Sequence, residues 1–262
     1  VRDMVGLYKI KSTEQLRDEI NNIIHTLKKS YDGEVNQPDI QKLKGMIREF
    51  EEELVWGYFG IETKHVSHLR LGFYTGEVFT EQPKLERDVE PVLAELRKIK
   101  PTVVSLAFDP EGSGPDTHYK VLQVIAEALR KWSQEEDLSK LRVWGYRNVW
   151  YRFHPAEANV FVPVSLNAMA VMDASFTHSY LSQVEASFPS YQLDGKFSDL
   201  TKRIWVEQLK QIQLLVGKDT FYQSERPRTR SSHGMLYFKE MTLDEFLSNA
   251  RELEKSMEGI VL

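Results

Sequence analysis

Apolar residues recur along this chain at helical spacing in some stretches and as short continuous runs in others, and the alternation predicts its elements. Behind Ser12-Thr13-Glu14-Gln15, which has the form of a capping box, Leu16, Ile20, Ile23, Ile24 and Leu27 fall on one helical face. Pro38 suits a first helical position. It opens a second stripe of Ile40, Leu43, Ile47, Phe50 and Leu54, which Gly57 or Gly60 ends. Val66 to Tyr74 reads as a strand, with Gly72 inside it marking a bulge or a close approach. A third helix carries Leu85, Val89, Val92, Leu93, Leu96 and Ile99, and Pro101 closes it. Thr102 to Phe108 is a strand, and the helix after it runs to Trp132. Leu141 to Arg147 and Asn159 to Val164 are further strands, the second placed at a sheet edge by Pro163. From Ser165 onward the chain reads as helical: a segment through Leu181, another from Leu200 to Leu215, and a last helix from Leu243 to Met257 after Thr242.

Helices alternating with strands predict an α/β fold: a Rossmann-like, mostly parallel sheet with flanking helices and a helical C-terminal region. The 262 residues are expected to form one domain. A hydrophobic share of 41% with 28% charged residues is that of an ordinary globular protein. A net charge of −5 gives no reason to expect nucleic acid or a membrane surface as partner. With no cysteine, a metal site has to use His and carboxylates. No signal peptide opens the chain, and a cytoplasmic location is expected.

Candidate chemistry gathers where the Thr102–Phe108 strand stops. Asp109, Glu111, Asp116 and His118 follow within one short stretch holding two prolines and two glycines. In open α/β sheets such strand-end loops carry ligands. The cluster suits a divalent metal or acid–base work. A plainer reading stands beside it: Asp116 is a good N-cap, and His118 is a surface residue of a first helical turn. The basic run Glu225 to His233 is an anion site or a solvated loop. His25 and His233 are expected to face solvent, and His65 and His68 to flank the Val66–Tyr74 strand. Trp144 is expected in the core, with Trp150 either core or a sugar-stacking wall.

The order of several short pieces resembles the PIG-L-like (LmbE-like) zinc N-deacetylases, in the version fused behind a glucosamine-6-phosphate deaminase-like domain. The pieces are Lys44-Gly45-Met46-Ile47-Arg48; His68-Leu69-Arg70-Leu71-Gly72-Phe73-Tyr74-Thr75-Gly76; Asp109-Pro110-Glu111-Gly112 ahead of Asp116-Thr117-His118-Tyr119-Lys120; Arg142 to Arg147; and Phe176-Thr177-His178-Ser179-Tyr180-Leu181-Ser182-Gln183. The resemblance implies removal of an acetyl group from an amino sugar or similar small amide. It implies a zinc ion held here by His118; of the carboxylates this chain offers beside it, Asp109, Glu111 and Asp116, Asp109 is the second metal-ligand candidate. The catalytic candidates are Asp116 as the carboxylate that moves the proton, and Arg70, Tyr74 and His178 around the substrate, with Arg147 weighed as a further donor. His178 is read first as a satisfied core residue.

Two departures qualify that implication. The family's N-terminal His-Pro-Asp-Asp motif is absent; His154-Pro155 continues as Ala-Glu and is misplaced. The chain is therefore expected to be the C-terminal portion of a larger protein, begun after the first strand–helix–strand unit. A missing N-terminal segment or a homo-oligomer partner would complete it. Pro115 also stands where the family has a further His. The alternative is a non-catalytic sugar-phosphate-binding or regulatory domain accompanying a deaminase-like enzyme. A third reading is a plain interaction domain.

Overall fold

A computed structural model describes residues 1–31, 34–75, 80–109, 116–147, 151–186 and 195–258. The chain divides into two compact units. The first comprises Val1–His68, Thr75–Thr80 and Ser175–Gln183, and the second Leu69–Tyr74, Glu81–Ala174 and Val184–Leu262.

The first unit is helical: α1 (Arg2–Tyr8), α2 (Thr13–Lys29) and α3 (Pro38–Tyr58). Ser12 caps α2 by accepting from the Gln15 amide, and Pro38 opens α3, as the sequence predicts. The Tyr8 hydroxyl donates to Asp39 Oδ2 at 3.0 Å, which ties α1 to α3. Burial and the neighbouring Asp39 carboxylate push the Tyr8 pKa up to about 12. Ile23, Ile40 and Leu43 are buried here.

The second unit holds the sheet. Before it come a π-helical turn (Leu85–Val89) and α4 (Glu90–Ile99). Then follow β1 (Val103–Ala107), α5 (Asp116–Trp132), β2 (Arg142–Tyr146) and β3 (Val160–Val164). α6 (Leu166–Ser179) begins in this unit, and its residues from Ser175 on count with the first. The chain continues with α7 (Phe197–Val216), the short turns α8 (Asp219–Tyr222) and α9 (Pro227–Arg230), β4 (Gly234–Thr242) and α10 (Leu243–Glu258).

The strand order is β1-β2-β4-β3. β1 and β2 run parallel, with Val103 opposite Arg142 and Ala107 opposite Tyr146. β4 is antiparallel to both β2 and β3. The α/β class therefore holds, while the mostly parallel sheet is corrected to a mixed one with a single parallel pair. The cause is β4, in the region expected to be helical. Along it Met235, Tyr237 and Met241 are buried while Leu236, Phe238 and Glu240 are half-buried, a period of two that belongs to a strand. β3 lies at the edge, where Pro163 needs no ladder donor.

α5 supplies the largest share of the core. Leu122, Val124, Ala126, Ala128, Leu129 and Trp132 are buried among Leu93, Leu96, Leu106, Val143, Met241 and Phe246. Burying side chains of this size contributes about 1.5–3 kcal/mol each before entropy is counted. α10 closes over that core behind a capping box: Thr242 N donates to Glu245 Oε2 at 2.7 Å, and Glu245 N donates back to Thr242 Oγ1 at 3.3 Å.

Val66 to Tyr74 is not a strand. Thr63–His65 forms one 3₁₀ turn, and the residues after it make a bend closed by the Tyr74 amide on the Leu71 carbonyl at 3.0 Å. Arg70 has a φ of 51°, a left-handed conformation that no pleated strand contains.

Candidate functional site

The site is built from the way β1 ends. Phe108 extends the ladder, its amide donating to the Tyr146 carbonyl at 2.7 Å. Its carbonyl accepts from Arg147 Nε at 3.1 Å. Gly145 makes room for it: a Cβ there would stand 2.7 Å from the Phe108 Cβ. Both backbone groups of Phe108 are thus clamped to the exit of β2, and Asp109 leaves the sheet from a fixed point.

Asp109 turns inward. Its side chain is 5% exposed, and Oδ2 lies 2.7 Å from His118 Nδ1 in the first turn of α5. An ionised carboxylate is an acceptor only, and against one the Nδ1 of His118 is the donor of this bond. Asp109 Oδ1 is buried with no hydrogen-bond partner among the described residues. A buried oxygen left so beside an oriented histidine is the feature that sets this place apart.

Around the pair, Tyr74 hydrogen-bonds the side chain of Thr117, the residue before His118. Tyr74 is 57% exposed, partial desolvation of its phenol raises its pKa, and the Thr117 bond opposes the rise. Asp116, expected as the proton carrier, is paired instead with Lys120 one turn on, Oδ2 to Nζ at 2.5 Å. Lys120 is buried. Arg147, weighed as an oxyanion donor, is committed to structure. It donates to Phe108 O, to Arg152 O and to the Glu157 carboxylate, and lies 4.1 Å over the Phe153 ring.

Arg70 and Tyr74 belong to the same unit as the pair, and Arg70 is exposed. His178 belongs to the first unit and is exposed, not a core residue. There Glu51 accepts from the Ser182 amide at 2.7 Å and from the Ser182 hydroxyl at 2.6 Å, and the Tyr180 hydroxyl donates to Glu52. Burial and that carboxylate raise the Tyr180 pKa. In the same unit His68 Nε2 is buried 3.4 Å from Glu53 Oε1, outside hydrogen-bonding geometry. His25, His65 and His233 are exposed. Trp144 is half-buried and donates to Glu240 Oε2 at 2.7 Å. Pro110, Glu111, Pro115 and Trp150 lie outside the described residues.

The sequence reading missed Thr117 and Lys120. The four-residue step from Asp116 to Lys120 was a legible sign of an ion pair on one helical face. Among the described residues no group of three or more His, Asp or Glu converges as a metal site. Asp109 and His118 are donors of the kind zinc takes, one short of the three protein ligands of a catalytic zinc.

No family model matches the chain. Nor does any solved structure match it. A glucosamine-6-phosphate deaminase-like protein of Bacteroides thetaiotaomicron is 32% identical over 145 residues, which is 53% of this chain and 21% of that protein. The chain thus matches about a fifth of the relative's length. The relative's name agrees with the deaminase-like protein named in the resemblance drawn from the motifs, and shows no N-deacetylase family. No helix among the described residues is long and apolar enough to cross a membrane.

Proposed function

We propose that this chain is an α/β domain that binds an amino sugar, free or N-acetylated, at the carboxyl end of β1, with the Asp109–His118 pair as its reactive centre. The observation that carries the reading is the 2.7 Å contact between a buried carboxylate and an imidazole at a strand-end loop. The name of the relative supports an amino-sugar phosphate as the ligand class.

The reaction class that suits the pair is hydrolysis of an N-acetyl group. A water must lose a proton as it attacks the carbonyl, and the departing amine must gain one. His118 does both through Nε2, while Asp109 holds its tautomer and stabilises the imidazolium between the two transfers. Tyr74, hydrogen-bonded to Thr117 beside His118, is the hydroxyl assigned to donate toward the substrate. Zinc remains the metal of the proposal. In a zinc-loaded form His118 would hold the ion with Asp109 in place of carrying the proton, and the ion would polarise the amide carbonyl and acidify water. The described residues do not complete a zinc site by themselves, and no step above depends on the ion. Further donors would come from another segment or a second copy.

Calorimetric titration with glucosamine 6-phosphate and N-acetylglucosamine 6-phosphate tests the reading, with and without added zinc. Binding that is lost in His118→Asn supports it. Equal binding by both proteins, or none by either, refutes it. Binding without release of acetate supports the non-catalytic alternative, for which Asp116 being tied to Lys120 is the favouring observation.

A further inference from the structure

We infer that Asp88, remote from the Asp109–His118 pair in sequence, is a positioning residue for the candidate site: it clasps the backbone at Gly72 and so sets where Tyr74 stands against Thr117. The inference rests on the proposed reading of that site.

Asp88 has no exposed surface. Its Oδ1 accepts from the Gly72 amide at 2.6 Å, and its Oδ2 accepts from the Lys84 amide at 2.8 Å. Arg87 adds Nε at 3.1 Å to both oxygens and Nη2 at 2.8 Å to Oδ2. Two amides and a guanidinium leave this carboxylate with no role open for chemistry. What it does is hold one segment, Leu69–Tyr74, to the start of the π-helical turn. Gly72 fits because it has no side chain: a Cβ would stand 2.0 Å from Arg87 Nε. On either side of Gly72, Leu71 and Phe73 are buried in the main core. The segment is therefore fixed by three successive residues, one by its backbone and two by their side chains. Tyr74 follows at once, its ring centroid 5.3 Å from that of Phe73, its amide on the Leu71 carbonyl and its hydroxyl at Thr117. Leu71 and Phe73 are buried for packing; the Asp88 bond is the directional contact that sets the turn between them. Charge-assisted bonds from amides to a buried carboxylate are short and strong, which suits a fixed mount.

The test uses the whole chain with ¹³C-labelled tyrosine, comparing wild type with Asp88→Asn and Arg87→Gln. Leu200→Ala serves as a destabilised control, since Leu200 is buried in a separate cluster. The expected result for Asp88→Asn is at least a tenfold loss of Gly72 amide protection and a displaced Tyr74 resonance. A several-fold weaker affinity for N-acetylglucosamine 6-phosphate goes with it. Leu200→Ala should change neither the resonance nor the affinity. Should Asp88→Asn fail to fold, Arg87→Gln carries the same test, because it loosens the clamp and keeps the carboxylate. An unmoved Tyr74 resonance in a folded variant overturns the inference. So does a moved resonance with unchanged affinity, in a protein whose His118→Asn variant does lose affinity. If His118→Asn also keeps full affinity, the site reading has failed, and the inference falls with it.

Discussion

Two buried aspartates in the same unit do opposite things. Asp88, at the π-helical turn, has every oxygen taken by amides and by Arg87. Asp109, at the end of β1, spends one oxygen on His118 and keeps the other buried without a partner among the described residues. A fully satisfied carboxylate is a structural clasp, and removing it exposes the groups it satisfied. One with an oxygen that no described residue satisfies, next to the imidazole it pairs with, keeps an acceptor of the kind a binding or catalytic centre uses. Burial alone does not separate the two; the census of partners does.

The strongest way to break this contrast is Asp88→Ala. It leaves the Gly72 and Lys84 amides and Arg87 facing a void, and we expect a loss of about 3 kcal/mol of stability in urea unfolding. Next is Gly72→Ala, which must displace Arg87 from the same clasp. We expect about 2 kcal/mol by the same measurement, from the Arg87 side chain being forced off the Asp88 carboxylate. Asp109→Asn should invert the pattern. Its amide oxygen still accepts from His118, so stability should stay within about 1 kcal/mol, while affinity for the amino sugar falls roughly tenfold by calorimetry.

The smallest effect is in pH. Burial by itself would raise the Asp88 pKa, but Arg87 and the amides of Lys84 and Gly72 outweigh it and hold the carboxyl below the usual carboxylate range. A depressed folded-state pKa adds stability that is full above the unfolded value and is lost as pH falls through the folded one. The acid limb of stability below about pH 4 should therefore be flatter in Asp88→Asn than in wild type.

Much of the frame was legible before the structure. The caps of α2, α3 and α10, the extent of α5 and the edge position of Pro163 follow from local rules that short stretches of sequence carry. β4 was not found. Its alternation of Met235, Tyr237 and Met241 sits between a basic run and a strongly helical segment, and Lys239-Glu240 interrupts it. The Val66–Tyr74 stretch misled for a related reason. Its apolar residues do alternate, but Leu71 and Phe73 are buried in a bend, with Arg70 left-handed and Gly72 held by Asp88, not in a pleat. At the site, the grouping of Asp109 with His118 was readable because His118 follows only nine positions after Asp109. The capture of Asp116 by Lys120 and the clasp of Gly72 by Asp88 depend on which side chains are buried, and spacing does not show that.

The most direct test of the central claim is ¹⁵N NMR of the histidine side chains during titration with N-acetylglucosamine 6-phosphate. The account predicts that free His118 shows a protonated Nδ1 with the lone pair on Nε2, and that Nε2 of this histidine shifts on binding while exposed His25 and His233 do not. A His118 signal that ignores the ligand, or a free protein with the proton on Nε2, would contradict it.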